Sequence, residues 1–144
     1  MIVPSSQLEA MAVLKGKGKL RGTVKLYSVP GGSLVAVEAT GLPENGSGFF
    51  ALHIHEGGNC EGEAFANTLG HYNPEDKEHP NHAGDLPPLL NMGGRAFLAV
   101  ETDRFFVEEV IGRTAVLHSR PDDFRSQPAG NAGEKIACGV IRWV

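Results

Sequence analysis

From Leu20 the chain alternates strictly: Leu20, Gly22, Val24 and Leu26 fall on one side of the period, and Arg21, Thr23, Lys25 and Tyr27 fall on the other. A period of two puts apolar side chains on one face of a strand and leaves the opposite face to solvent. Runs over residues 11–15, 33–42, 49–56, 95–101, 104–110, 112–118 and 135–144 carry similar strand signals, rich in Val, Leu, Ile, Phe and Thr. Glycine and proline, 19 and 9 residues, punctuate these runs, and helical periodicity is scarce. The count predicts an all-β chain, an eight-stranded antiparallel sandwich or flattened barrel. Two long loops interrupt the pattern, at 57–90 and 119–133; inside a compact domain, a loop as long as the first usually carries function. Residues 1–10 are polar with no evident partner strand and read as a flexible tail, leaving 11–144 as one domain.

Size and charge narrow the classes. A chain of 144 residues with 41% hydrophobic content is about one domain and can bury a core without a second module. Its formal net charge of -4 provides no basic field, so neither nucleic acid nor an anionic membrane is an expected partner. No apolar run approaches the roughly 18 residues of a spanning helix. The N-terminus lacks the charge and apolar pattern of an export signal, so the compartment is left between the cytoplasm and an extracytoplasmic site with the leader already removed.

The candidate chemistry lies in the histidines, six in all, grouped in HIH, GHYNP, EHPNHAGD and VLHS. In the strand over 49–56, Phe50, Leu52 and Ile54 point one way, and Ala51, His53 and His55 point the other. Two imidazoles therefore stand on one face within reach of one ion. Taken alone, HIH is equally the pattern of two hydrogen-bonded strand histidines, and His118 by itself reads as a structural residue. The segment GHYNPEDKEHPNHAGDL is more specific. It places His71, His79, His82 and Asp85 close together, three nitrogens and a carboxylate that fit closed tetrahedral zinc. A metal would also supply the free energy to order a loop with little apolar surface of its own.

Two cysteines, Cys60 in the first loop and Cys138 in the final run, make an even pair. Such a pair reads either as a disulfide tying the loop to the sheet or as two buried free thiols.

The pieces VLKGKG, GFFALHIHE, GHYNP, KEH, HAGDL, the 112–118 run followed by Asp122 and Asp123, and GNAGEKIACGVI resemble the copper-zinc superoxide dismutase family. They occur in that family's order from Met11 onward. The resemblance implies a Greek-key sandwich, a fold for which this enzyme is itself a standard example. It implies copper held by His53, His55, His71 and His118, and zinc held by His71, His79, His82 and Asp85, with His71 bridging the two. It further implies that Asp122 orients one ligand of each metal, that Cys60 and Cys138 form a disulfide, and that superoxide anion is the substrate.

Two departures stand out. Lys135 occupies the position where the family carries an arginine; lysine keeps the charge but lacks the planar fork that holds an anion through two parallel hydrogen bonds. Retained but reduced activity is the expectation, with Arg120 and Arg125 ranked behind Lys135 as guiding cations. Only Pro80 and Asn81 separate His79 from His82, shorter than the family's usual spacing, which bears on zinc geometry. The competing reading is a relative that stores or delivers copper, or uses zinc structurally, without turnover. A homodimer is left open: Trp143, Phe105 or Phe106 could form an apolar interface or pack in the core.

Overall fold

The computed structural model describes residues 8–144, so residues 1–7 of the tail expected over 1–10 lie outside the described residues. The strands are β1 (Leu8–Gly16), β2 (Arg21–Val29), β3 (Gly32–Thr40), β4 (Phe49–His55), β5 (Asp85–Leu90), β6 (Ala96–Thr102), β7 (Thr114–His118), β8 (Lys135–Val140) and the two-residue β9 (Arg142–Trp143). Hydrogen bonding orders them β5-β4-β7-β8-β1-β2-β3-β6, with β9 paired to β1. The neighbouring strands run antiparallel. The terminal strands β5 and β6 come close to each other without a ladder, so the sheet nearly closes into a flattened barrel.

Alternation places the core. Val24 and Leu26 of β2 pack inward with Leu14, Phe50, Leu52, Ile54, Leu117 and Ile141, all fully buried. Burying each such side chain contributes on the order of 1.5–3 kcal/mol. A smaller cluster of Tyr27, Leu34 and Ala36 is covered by Leu8 and Val29. Residues 8–10 belong to β1: Leu8 pairs with Tyr27, and Ala10 with Leu26 and Trp143.

Two strand assignments change. Residues 104–110, expected as a strand, instead form a single helical turn, α1 (Val107–Val110). The buried residues are Phe105, Val107 and Val110, and the Glu109 carboxylate accepts a hydrogen bond from the Phe106 backbone N–H at 2.6 Å, tightening the turn. Residues 85–90, expected within the loop, form β5. Pro87 and Pro88 hid it, and both are tolerated because β5 ends the sheet order. Phe105 belongs to the core, while Phe106 and Trp143 are exposed, so the three do not make one surface patch. No helix among the described residues is long and apolar enough to cross a membrane.

The first loop is tied back covalently. Cys60 and Cys138 form a disulfide with Cα atoms 5.8 Å apart, joining the loop to β8 across a sequence separation of 78. Closing so long a loop constrains the unfolded chain. Replacing both cysteines with serine is expected to lower the stability of the metal-free protein by about 4 kcal/mol, measured as a shift in the urea unfolding free energy.

Candidate metal centre

The centre is built on β4. His53 and His55 lie on the same face of this strand, two residues apart, and both are buried. The first loop then docks against the same strand through its backbone. Glu56 N–H donates to Gly70 O, Tyr72 N–H to Ile54 O, Ile54 N–H to Gly84 O, and Gly84 N–H to Tyr72 O, at 2.8–3.0 Å. Gly84 is required for this approach, since a Cβ there would stand 2.2 Å from Ile54 O. The docking sets His71 opposite His55 in an isolated antiparallel bridge. It also sets Asp85, at the start of β5, opposite His53. His118 arrives at the end of β7, next to β4 in the sheet.

Two donor sets result. In the first, ligand atoms of His53, His55, His71 and His118 all lie within 4.8 Å of one another. In the second, His71 Nδ1 lies 2.8 Å from Asp85 Oδ1 and 3.1 Å from His82 Nδ1. His79 Nδ1 and His82 Nδ1 stand 3.1 and 3.2 Å from Asp85 Oδ2. By proximity alone the second group is His53, His71, His79 and Asp85, with His53 in the place of His82. His53 Nε2 is committed to Asp122, which leaves its Nδ1 as the nitrogen able to ligate, and His82 joins the second set through its own contacts with His71 and Asp85.

Asp122 decides this orientation. Its two carboxylate oxygens accept from His53 Nε2 at 2.9 Å and from His79 Nε2 at 2.7 Å. A neutral imidazole carries one ring proton, so both rings hold it at Nε2 and present bare Nδ1 lone pairs. Leu69 O does the same for His55, accepting from Nδ1 at 2.8 Å and freeing Nε2, which faces His118 Nε2 at 3.2 Å. His53 Nδ1, His71 Nε2, His79 Nδ1 and His118 Nδ1 are buried without a hydrogen-bond partner. Buried polar atoms without partners are costly and rare. Beside two groups of donors within 4.8 Å of one another, they fit the site to metal ions, with imidazole suiting copper and a histidine-carboxylate set suiting zinc.

The short spacing between His79 and His82 does not prevent convergence. His82 N–H donates to Asp85 Oδ2 at 3.0 Å, and Arg104, from beyond β6, donates to Pro80 O at 2.7 Å and His82 O at 3.1 Å. Gln127 of the second loop clamps His79 from both sides, accepting from its N–H and donating to its carbonyl. Lys135, opposite His118 in the β7–β8 ladder, donates through Nζ to Thr68 Oγ1 at 2.7 Å and to Leu69 O at 3.0 Å. Arg120 and Arg125 are exposed on the second loop. Arg104, Gln127 and Thr68 carry no signal in the sequence, because each acts through a partner far along the chain.

The electrostatics favour neutral, ligating imidazoles. Burial, together with the nearby His118 and His71, pushes His55 down from 6.5 to about 2. Burial with His53 and His71 does the same to His118, also to about 2. Burial lowers His53 to about 4 against the opposing pull of Asp122. Asp122 itself falls to about 2: burial opposes ionisation, but hydrogen bonds from His53, His79 and the Phe124 N–H outweigh it.

A near-closed β-barrel holding two histidine-rich donor sets that share one ring defines a binuclear metalloprotein. The sequence matches the family described as copper/zinc superoxide dismutase (SODC) over residues 20–141. It is 38% identical over 156 aligned residues to Cu-Zn superoxide dismutase 2 of Aquifex aeolicus, covering 96% of this chain and 89% of that protein. It is 33% identical to the copper chaperone for superoxide dismutase of Mus musculus, covering 95% of this chain and 55% of that protein. The crystal structure of the clock protein EA4 superposes with a TM-score of 0.84 at 31% identity, covering 100% of this chain and 99% of that one. This chain belongs to the copper/zinc superoxide dismutase family, and its metals are copper and zinc.

Two outcomes are expected of this geometry. A Cβ at Gly130 would stand 2.0 Å from Asp122 Oδ1 and 2.6 Å from His79 Nε2, at a φ of +73°. Gly130→Ala should therefore displace the Asp122 bridge and weaken metal binding by roughly 10–100-fold, read by chelator competition. The second outcome concerns pH. Unfolded histidines protonate below 6.5, whereas His53, His55 and His118 resist protonation until about 4, 2 and 2 in the native chain. The unfolded state then binds more protons, so stability falls as pH drops. Urea melts of the metal-free protein should lose up to about 1.4 kcal/mol per pH unit for each such histidine between pH 6.5 and 4, and little between pH 8 and 7.

Proposed function

We propose that this chain is a superoxide dismutase, converting two superoxide anions and two protons into dioxygen and hydrogen peroxide. In this reading His53, His55, His71 and His118 hold copper, and His71, His79, His82 and Asp85 hold zinc. The observation that carries it is the position of His71. Its Nδ1 lies 2.8 Å from Asp85 Oδ1, while its buried Nε2 has no partner and the residue belongs equally with His53, His55 and His118.

Bound copper supplies reversible one-electron chemistry, and bound zinc, which has no redox chemistry, holds its ligands in place. The chain's own residues do the rest. His71, whose Nε2 is buried without a partner, would supply one of the two protons that hydrogen peroxide requires whenever that nitrogen is free of metal, and solvent would supply the other. Asp122 keeps His53 and His79 facing their sets, so neither ring turns as the charge at the centre changes. Lys135 provides positive charge beside His55 and His118, where it draws in and orients the anion. As a point charge rather than a planar fork, it orients less firmly than an arginine.

The similarity to a copper chaperone supports a second reading, in which the chain carries copper without turnover. Reconstitution with both metals, followed by parallel measurement of metal content and superoxide consumption, separates the two. Dismutation well above the rate of metal-free protein is expected; two bound metals with no such rate would favour the carrier. Within the enzyme reading, Lys135→Gln should lower the low-salt rate by roughly tenfold and flatten its dependence on ionic strength. Lys135→Arg should raise that rate, and an unchanged rate would shift the guiding role to Arg120 or Arg125.

A further inference from the structure

The loop preceding His71 contains a threonine that the metal centre does not explain. Thr68 is fully buried, in a chain segment that turns sharply: Ala64, Phe65 and Leu69 all have left-handed φ values, of 54°, 60° and 62°. Its backbone carbonyl accepts from Gly57 N–H at 2.8 Å, which pins it against the chain leaving β4. Its hydroxyl proton is also spent, because Thr68 Oγ1 donates to Phe65 O at 2.8 Å. What remains on that oxygen is acceptor capacity of fixed direction, and Lys135 Nζ uses it at 2.7 Å.

Leu69 supplies the other half of the seat. Its carbonyl accepts from Lys135 Nζ at 3.0 Å and from His55 Nδ1 at 2.8 Å, so the ammonium and a ring of the first donor set hang on one oxygen. The disulfide at Cys138, three residues beyond Lys135, ties β8 to this same loop. An ammonium has three N–H groups, and this seat takes two of them. One N–H is left for a ligand.

We propose that Thr68 is a positioning residue for anion binding. Its hydroxyl holds Lys135 Nζ at a fixed point beside His55, giving a lysine part of the geometric definition that an arginine fork would have by its own shape. This rests on the dismutase reading for its biological sense, but the anion seat itself is tested without turnover.

The test uses protein loaded with copper and zinc, with azide as the small-anion probe, followed by its absorption band on binding. Thr68→Val keeps the side chain's shape and removes the hydroxyl. It should weaken azide binding by roughly tenfold, the size expected for loss of one charge-assisted hydrogen bond. Thr68→Ser, which keeps the hydroxyl, should bind within about twofold of the parent on the same argument. In a Lys135→Gln background, Thr68→Val should have no further effect, because the partner it positions is gone. Unchanged azide affinity in Thr68→Val would overturn the proposal. So would an equal loss in the Lys135→Gln background, or a fall in bound copper, either of which would make Thr68 a purely structural residue. If instead the parent binds both metals and azide but consumes no superoxide, the dismutase reading fails, and the azide series still decides the role of Thr68.

Discussion

The carboxylate of Asp122 is the contact on which the whole centre depends. One oxygen takes the proton-bearing nitrogen of His53, on β4, and the other takes that of His79, in the first loop. A neutral imidazole has one proton to place, so fixing it on the outer nitrogen fixes the lone pair on the inner one. Asp122 thus sets two tautomers and couples the two donor sets mechanically. It sits in the second loop, where Gly130 approaches so closely that no larger residue fits. The sheet, the first loop and the second loop meet at this one side chain.

The same logic recurs at His55, where a backbone carbonyl replaces the carboxylate. Leu69 reaches that position only with a left-handed φ of 62°, unusual for a leucine. Such local strain persists where surrounding contacts over-determine it. Here they do: the neighbouring Thr68 is bound through its carbonyl and its hydroxyl, and the loop is fastened by the disulfide. Rigidity is the useful product. Several buried neutral imidazoles with unpaired nitrogens are costly in the metal-free chain, and metal binding converts that cost into folding free energy.

How much of this is legible in the sequence follows from how local each signal is. The pair on β4 is legible because strand alternation alone aligns His53 with His55. The loop ligands are legible by residue type and crowding. β5 is hidden because Pro87 and Pro88 argue against a strand, an argument that fails at the edge of a sheet. Residues 104–110 mislead because Phe105, Val107 and Val110 satisfy a period of two at one step and a helical step of three at the next. Gly130, Thr68 and Arg104 are invisible for a different reason. Each matters through contacts made in the folded chain, Gly130 with Asp122 and His79, Thr68 with Lys135 and Arg104 with Pro80 and His82, and neither periodicity nor composition encodes such meetings.

The compact turn from His79 to Asp85 shows how a departure in spacing can be absorbed. Asn81 N–H donates to Glu78 O and Asp85 N–H to His82 O, so the chain folds back on itself at each step of three residues. His82 and Asp85, three apart, are joined again by the His82 N–H to Asp85 carboxylate bond. Three donors carried on one short turn need little loop closure of their own, since the entropic cost of bringing ends together grows with loop length. What the short turn lacks is backbone to satisfy its outward carbonyls, and Arg104 caps two of these, at Pro80 and His82. The geometry of the His79, His82 and Asp85 turn therefore depends on a cation outside the loop, just after β6 in the chain. Part of the work of ordering this short turn thus falls to the barrel.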